Sequence, residues 1–338
     1  MHDRYSRQIL FSGIGAEGQE KLENKHALII GAGALGTGSA EILARAGVGE
    51  LTIVDRDYVE WSNLQRQQLY TEADAEERMP KVIAAKKRLE EINSGITIHA
   101  HIIDVTPVEL EQLIHGVDLI LDATDNFDIR MIINDTSQKY SIPWIYGSCV
   151  GSYGISYTIL PGVSPCLHCL MENIPIGGMT CDTLGVISPV VQLVIAHQTA
   201  EALKILTEKT DRLRQELISF DLWNNQQSTI QVRSLKQQQC KSCGDHANYP
   251  FLDYENTTKA EILCGRETVQ IRPSSRETKD LETLAIKLKK LGKVKQNPYL
   301  LQFTIGDDRL VLFRDGRVLV HGTNDAARAR SLYHRYLG

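Results

Sequence analysis

The chain has 338 residues, 42% of them hydrophobic and 23% charged, which excludes a disordered or fibrous polypeptide and leaves room for about two domains. No uninterrupted apolar run reaches the roughly 18 residues of a membrane span, because candidates such as 190–196 are broken by Gln192, and no signal-peptide core follows residues 1–7. The net charge of −5 hides an asymmetry: from Arg266 onward 15 Lys and Arg face 8 Asp and Glu, against 22 and 34 before it. A basic tail suits an acidic partner or simple solvation. No aromatic-interleaved basic stripe accompanies it, so neither nucleic acid nor membrane is an expected partner. A cytoplasmic chain is expected, and there its seven cysteines read as metal ligands, reactive thiols or core filler before disulfides.

In chain order, 27–30 is a short apolar run of the kind buried on both faces of a sheet, and it leads into Gly31-Ala32-Gly33-Ala34-Leu35-Gly36 and a helix through Ala46. Strands follow at 51–55 and near 96–103, with a helix over 81–92 between them and another buried run at 118–122. Strands alternating with helices specify a Rossmann-like α/β fold with a mostly parallel sheet. Further strands are expected at 144–149 and 155–160, and a long helix at 187–206. The tail changes grammar: a helix over 281–291, short strands at 299–305, 309–313 and 317–321 around an Asp315-Gly316 hairpin turn, and a closing helix over 325–336. The expected organisation is a nucleotide-binding domain over 1–250 and a small α+β domain over 260–338.

Gly31-x-Gly33-x-x-Gly36 stands after a strand and opens a helix, and Asp55 ends the next strand. Glycines permit a tight turn and close backbone approach, a helix N-terminus attracts phosphate, and the carboxylate suits ribose hydroxyls. This marks an adenine nucleotide without separating NAD from ATP. The following loop separates them. Arg66 and the Lys81 that opens the next helix offer fixed cations to a triphosphate, for which hydride transfer has no use. Asp122-Ala123-Thr124-Asp125-Asn126 ends a buried strand at the carboxyl edge of the sheet, where a carboxylate suits magnesium held with substrate phosphates. Cys166-x-x-Cys169 and Cys240-x-x-Cys243 are two knuckles able to supply four thiolates to one zinc; a redox pair is the alternative, and His168 between the first two reads as loop. Cys181 stands apart beside Gly177 and Gly178, while Cys149 and Cys264 read as bystanders.

As a set, Arg4-Tyr5-Ser6-Arg7-Gln8, the glycine turn, Asp55, Asn63-Leu64-Gln65-Arg66-Gln67, Pro80-Lys81 and Asp122-Ala123-Thr124-Asp125-Asn126 resemble the ThiF/MoeB/HesA family over about residues 1–245. These are bacterial relatives of ubiquitin-activating enzymes. The resemblance implies an adenylyltransferase that uses ATP and Mg2+ to activate the C-terminal Gly carboxylate of a small sulfur carrier of ThiS or MoaD type, for thiamine or molybdopterin synthesis. It implies that Gly31, Gly33, Gly36 and Asp55 hold the nucleotide, that Asn63, Arg66 and Lys81 hold phosphates, and that Asp125 binds magnesium. It further implies a homodimer with Arg7 reaching into the partner's site, and Zn2+ on Cys166, Cys169, Cys240 and Cys243. Cys181 would capture the activated carrier or relay sulfur from a persulfide-donating cysteine desulfurase. Its glycine-rich loop tilts the expectation toward ThiS. Ala34 departs from the glycine found in many members. An NAD-dependent oxidoreductase and a non-catalytic zinc-stapled scaffold are the rival readings, and carrier-dependent pyrophosphate release separates both from adenylation.

Overall fold

His26–Ile30 (β1), Glu50–Asp55 (β2), Thr97–Ile102 (β3), Leu119–Asp122 (β4) and Trp144–Val150 (β5) run parallel in the order β3-β2-β1-β4-β5. Tyr153–Ile159 (β6), Leu217–Asp221 (β7) and Gln226–Ile230 (β8) continue the sheet antiparallel beyond β5. The computed structural model describes residues 3–171, 184–253, 260–263, 267–272 and 279–337. The chain divides into two compact units, Met1–Glu76 with Pro80–Glu255 and Glu77–Met79 with Asn256–Gly338, and this sheet belongs to the first.

The central strands are buried at every position of β1 and β4, which is why both read as unbroken apolar runs. Leu28, Ile30, Ile120, Trp144 and Tyr146 share a core with Leu110 and Met131, residues of helices Pro107–Leu113 and Phe127–Tyr140. A second core joins Leu35 to Val190, Val194 and Ile195 of the helix Ser188–Leu206 and to Phe220 of β7. Among the described residues no helix is long and apolar enough to cross a membrane. Helix Ala34–Ala46 stops at Gly47, whose φ of +81° supplies the left-handed cap that ends many helices.

This connectivity positions the site. From β1 the chain winds outward through β2 and β3, then returns to place β4 and β5 on the other side of β1. The order reverses between β1 and β4, and a crevice opens at their carboxyl ends, where open α/β sheets bind ligands.

The second unit holds an antiparallel sheet of Ala260–Leu263 (β9), Thr268–Ile271 (β10), Lys293–Gln296 (β11), Leu300–Ile305 (β12), Asp308–Phe313 (β13) and Val318–His321 (β14), ordered β11-β12-β13-β14-β10-β9. Leu281, Leu288 and Leu332 from helices Leu281–Leu288 and Ala326–Leu337 pack with Val269, Leu301, Phe303, Leu310 and Val320 on one face. The first of these helices is shorter than the expected 281–291. Both Leu291 and Gly292 return their N–H groups to the Leu288 carbonyl, and Leu291 is left exposed.

Candidate active site

The glycine turn brings two strands together at the mouth of the crevice. Gly31 has φ +101°, and a Cβ there would lie 2.4 Å from the Ala123 carbonyl oxygen beyond β4, so only glycine fits. A Cβ on Gly36 would come within 1.9 Å of the Gly31 carbonyl oxygen, which seats the first turn of helix Ala34–Ala46 directly on the loop. Gly33 is different: it precedes that helix with no side-chain cap, and nothing crowds the position of its missing Cβ. The helix therefore presents N–H groups to the crevice, as an anion site requires.

Asp55 and Tyr70 brace this turn. Asp55 Oδ2 accepts from the Ala32 N–H at 2.6 Å, and Oδ1 accepts from the Asp57 N–H at 2.7 Å. Each carboxylate oxygen keeps further acceptor capacity for a hydroxyl. Burial pushes the Asp55 carboxyl above the ordinary aspartate range; Lys81 opposes the shift and Asp57 reinforces it. From the other side the Tyr70 hydroxyl donates to the Ala32 carbonyl at 2.6 Å, and burial pushes that phenol up.

In the connecting loop, Asn63 is buried, and its Oδ1 accepts from the Glu60 N–H at 3.0 Å in a capping box around the turn Trp61–Asn63. Arg66 is partly exposed and donates to the Ser62 carbonyl at 2.9 Å. Lys81 opens helix Lys81–Ile92 after Pro80, as expected, but it is only 3% exposed, with Nζ 3.4 Å from Asp57 Oδ2. A cation so placed has a fixed position, which a surface lysine lacks.

Across the crevice, Asp122 is fully buried at the end of β4. Its Oδ1 accepts from the Thr124 N–H and hydroxyl, both at 2.9 Å, and Oδ2 accepts from Arg130 Nε at 2.9 Å. Burial raises the Asp122 carboxyl despite the opposing guanidinium. Arg130 also donates to the carbonyls of Thr124 and Gly147 and lies over the Tyr146 ring, so it ties the loop after β4 to β5. Asp125 stands exposed beyond this clamp, and Asn126 Oδ1 caps helix Phe127–Tyr140 by accepting from the Ile129 N–H at 3.1 Å.

The structure thus gathers Gly31, Gly33, Gly36, Asp55 and Lys81 around the ends of β1 and β2, and sets Asp125 beyond β4. Arg7 is exposed on helix Ser6–Leu10; its neighbours Arg4 and Gln8 pin that segment to the Ile92 and Ala46 carbonyls. Cys181, with the loop around Gly177 and Gly178, lies outside the described residues, as does Cys264. Cys149 sits on β5 and packs against the core of Leu35, Val194 and Phe220. Sequence reasoning missed Tyr70 and the Arg130 clamp, and quoted Gln67 only within the 63–67 motif.

The four knuckle cysteines converge. Cys166 Sγ lies 3.9 Å from Cys169 Sγ and 3.7 Å from Cys240 Sγ, and Cys169 Sγ lies 3.5 Å from Cys243 Sγ. All four sulfurs fall within 4.8 Å of one another. A tetrahedron with Zn–S bonds of about 2.3 Å has edges of about 3.8 Å, so the donor set fits zinc in number, chemistry and spacing. His168 Nδ1 lies 3.8 Å from Cys240 Sγ, beside the set. Helix Phe127–Tyr140 holds the first knuckle and the turn Pro250–Leu252 that follows the second: Asn134 Oδ1 accepts from the Leu167 N–H at 2.8 Å and Asp135 Oδ2 from the Phe251 N–H at 2.9 Å.

Comparison with known proteins agrees with this geometry. Residues 5–242 match the model of the ThiF family. The chain is 55% identical to the sulfur carrier protein ThiS adenylyltransferase of Bacillus subtilis (strain 168), with 100% of both chains covered. It is 34% identical to the molybdopterin-synthase adenylyltransferase of Salmonella typhimurium over 71% of this chain and 96% of that one. A crystal structure of E. coli MccB with MccA-N7isoAsn shares the fold, with a TM-score of 0.64 at 23% identity over 72% of this chain and 76% of that chain.

Proposed function

The chain belongs to the ThiF family and is an adenylyltransferase, and from that premise we propose that it joins AMP to the C-terminal carboxylate of a ubiquitin-like sulfur carrier of ThiS type. The supporting observation is the convergence of an uncapped helix N-terminus, the braced Asp55 and the buried Lys81 at the crevice between β1 and β4. The full-length likeness to a ThiS adenylyltransferase, tail included, favours ThiS over MoaD.

In this reading the carrier carboxylate attacks the α-phosphorus of ATP, the bond from that phosphorus to the β-phosphate oxygen breaks, and pyrophosphate leaves. The nucleophile is already an anion, so no side chain has to remove a proton. Catalysis rests on placement and charge neutralisation. Gly31, Gly33 and Gly36 admit the phosphates to the helix N-terminus, and Asp55 accepts from the ribose hydroxyls. Asn63, Arg66 and Lys81 hold the phosphates and the departing pyrophosphate, and Asp125 holds magnesium, which supplies positive charge to the phosphate oxygens. Arg7 completes the site of a partner subunit in a homodimer. Cys181 acts after adenylation, capturing the carrier or passing on sulfur from a cysteine desulfurase. Zinc on Cys166, Cys169, Cys240 and Cys243 cross-links the segment after β8 to the one after β6 and takes no part in the chemistry. Residues 1–250 form the adenylation domain of this cytoplasmic enzyme, and 260–338 form a separate α+β domain.

One experiment tests the core of this. Exchange of labelled pyrophosphate into ATP should require a Gly-Gly-ended ThiS-type carrier and proceed faster than with a MoaD-type one. Arg7→Ala and Asp125→Asn variants should each be inactive, and mixing them should recover exchange, because a mixed dimer contains one intact composite site. Absence of exchange with either carrier would overturn the function; recovery failing after subunit mixing would overturn the shared site.

A further inference from the structure

Four side chains of the loop after β2 are engaged in hydrogen bonds. Asn63 Oδ1 accepts from Glu60, Arg66 donates to Ser62, Gln68 Nε2 donates to Glu41 at 2.9 Å, and Tyr70 donates to Ala32. Gln67 departs from this pattern. It is 3% exposed, its backbone N–H is fixed by the Asn63 carbonyl at 3.0 Å, and its Oε1 is buried with no hydrogen-bond partner. Its Nε2 lies 3.9 Å from the place a Cβ on Gly33 would take, beside the uncapped N-terminus of helix Ala34–Ala46. A buried amide without a partner destabilises the fold and calls for an explanation.

A ligand at the cradle supplies one. The helix N-terminus marks the spot for an anion, and phosphate oxygens accept hydrogen bonds without donating any. We propose that Gln67 is a nucleotide-binding residue: its Nε2–H donates to a non-bridging phosphate oxygen of ATP seated over Gly33, and its Oε1 accepts from a water ordered with that phosphate. This rests on the adenylation reading and deepens it. Arg66 and Lys81 bring charge to the phosphates, whereas an uncharged amide held by the wall of the cradle fixes their direction. Gln67 is thus expected to act chiefly on nucleotide affinity.

The test compares Gln67→Met and Gln67→Glu with wild type, and Lys81→Ala as reference. Met keeps the length and volume of the side chain while removing both polar atoms. The ATP-free melting temperature of Gln67→Met should equal or exceed that of wild type, because the amide lost had no partner. Its KM for ATP should rise about ten- to a hundredfold, the worth of one hydrogen bond to a charged group, with kcat within about twofold. Gln67→Glu should bind Mg·ATP less well than Gln67→Met, because it sets a carboxylate against a phosphate. A Gln67→Met variant that melts several degrees lower yet keeps wild-type ATP affinity would show a packing role and overturn the proposal, as would one unchanged in both. If Lys81→Ala loses the ATP-induced rise in melting temperature and Gln67→Met keeps all of it, the Gln67 assignment alone falls. If neither variant loses it, the adenylation site itself is misplaced.

Discussion

At the carboxyl ends of β1 and β4 the polar groups are braced from behind and open in front. Asp55 accepts two backbone N–H bonds, Lys81 is held beside Asp57, and Arg130 clamps Asp122, yet Asp125 is exposed and Gln67 Oε1 has no partner. At the cysteine cluster the four sulfurs turn toward one another and lie within 4.8 Å. Three of the four cysteines are buried, and Asn134 and Asp135 accept the backbone N–H groups of Leu167 in the first knuckle and of Phe251 beyond the second. The difference follows from what each cluster has to do. A site that turns over must leave its acceptors and donors to be met by a visiting ligand, and burial then raises both Asp55 and Asp122 against their cationic neighbours. A site that staples the chain satisfies itself once, and its ion becomes part of the fold.

The comparison breaks most visibly at the cysteines. Cys169→Ser or Cys243→Ser removes a donor from the set proposed to hold zinc, and a structural zinc contributes on the order of 10 kcal/mol to folding, comparable with the whole stability of a typical domain. Wild type should carry close to one zinc per chain by metal analysis, and either variant should lose it together with most of its cooperative melting. Asp125→Asn, at the open site, should keep both. Protein purified without chelator that holds no zinc and still melts like wild type would remove the distinction between the two clusters.

A smaller effect is expected at the crevice, in rate and not in fold. Lys81→Met keeps the buried stem of the side chain and deletes the ammonium, and Arg66→Ala deletes a partly exposed guanidinium. Each should lower carrier-dependent pyrophosphate exchange by about 10²–10³, the usual cost of losing one preorganised charge partner in a transition state. Zinc content should not change. Near-wild-type exchange in either variant would mean that this loop does not hold the phosphates.

Much of this architecture is legible in the sequence because it is local. The runs at β1 and β4 are apolar without interruption since both faces are covered, and the glycine spacing is dictated by contacts within six residues and one neighbouring loop. The cysteine pairs carry their own bite, so the cluster too can be anticipated. The missed features depend on long-range register. β8 reads Gln-Gln-Ser-Thr-Ile and is exposed at every position, so no apolar alternation announces it. Tyr70 meets Ala32, and Gln67 comes beside Gly33, only because the loop after β2 folds back over the turn. Arg130 carried a faint signal: an arginine one turn into a helix that starts just after a buried strand ending in Asp122.

The smallest effect concerns protons, and it sharpens the contrast from the open side. Burial behind the glycine turn raises the Asp55 carboxyl, and Asp57 adds to this while Lys81 works against it. A carboxyl raised in the folded state contributes stability at low pH that is lost as pH rises through its folded value, so at neutral pH the ionised Asp55 weakens the free protein slightly. With Asp55 in its proposed place against the ribose, the nucleotide would need that ionised form, because a protonated carboxyl gives up part of its capacity to accept from hydroxyls. Lowering the pH should therefore weaken ATP binding beginning above the ordinary aspartate value of about 3.9, with a limiting slope near one proton per bound nucleotide. Asp55→Asn should bind ATP more weakly at neutral pH and lose this dependence, because its amide does not titrate. Calorimetric ATP affinity of both proteins across the acidic range, within the limits where zinc content stays constant, measures it directly. A flat wild-type profile down to the ordinary carboxylate range, or an unchanged slope in Asp55→Asn, would place the titrating group elsewhere and leave Asp55 as a brace for Ala32 alone.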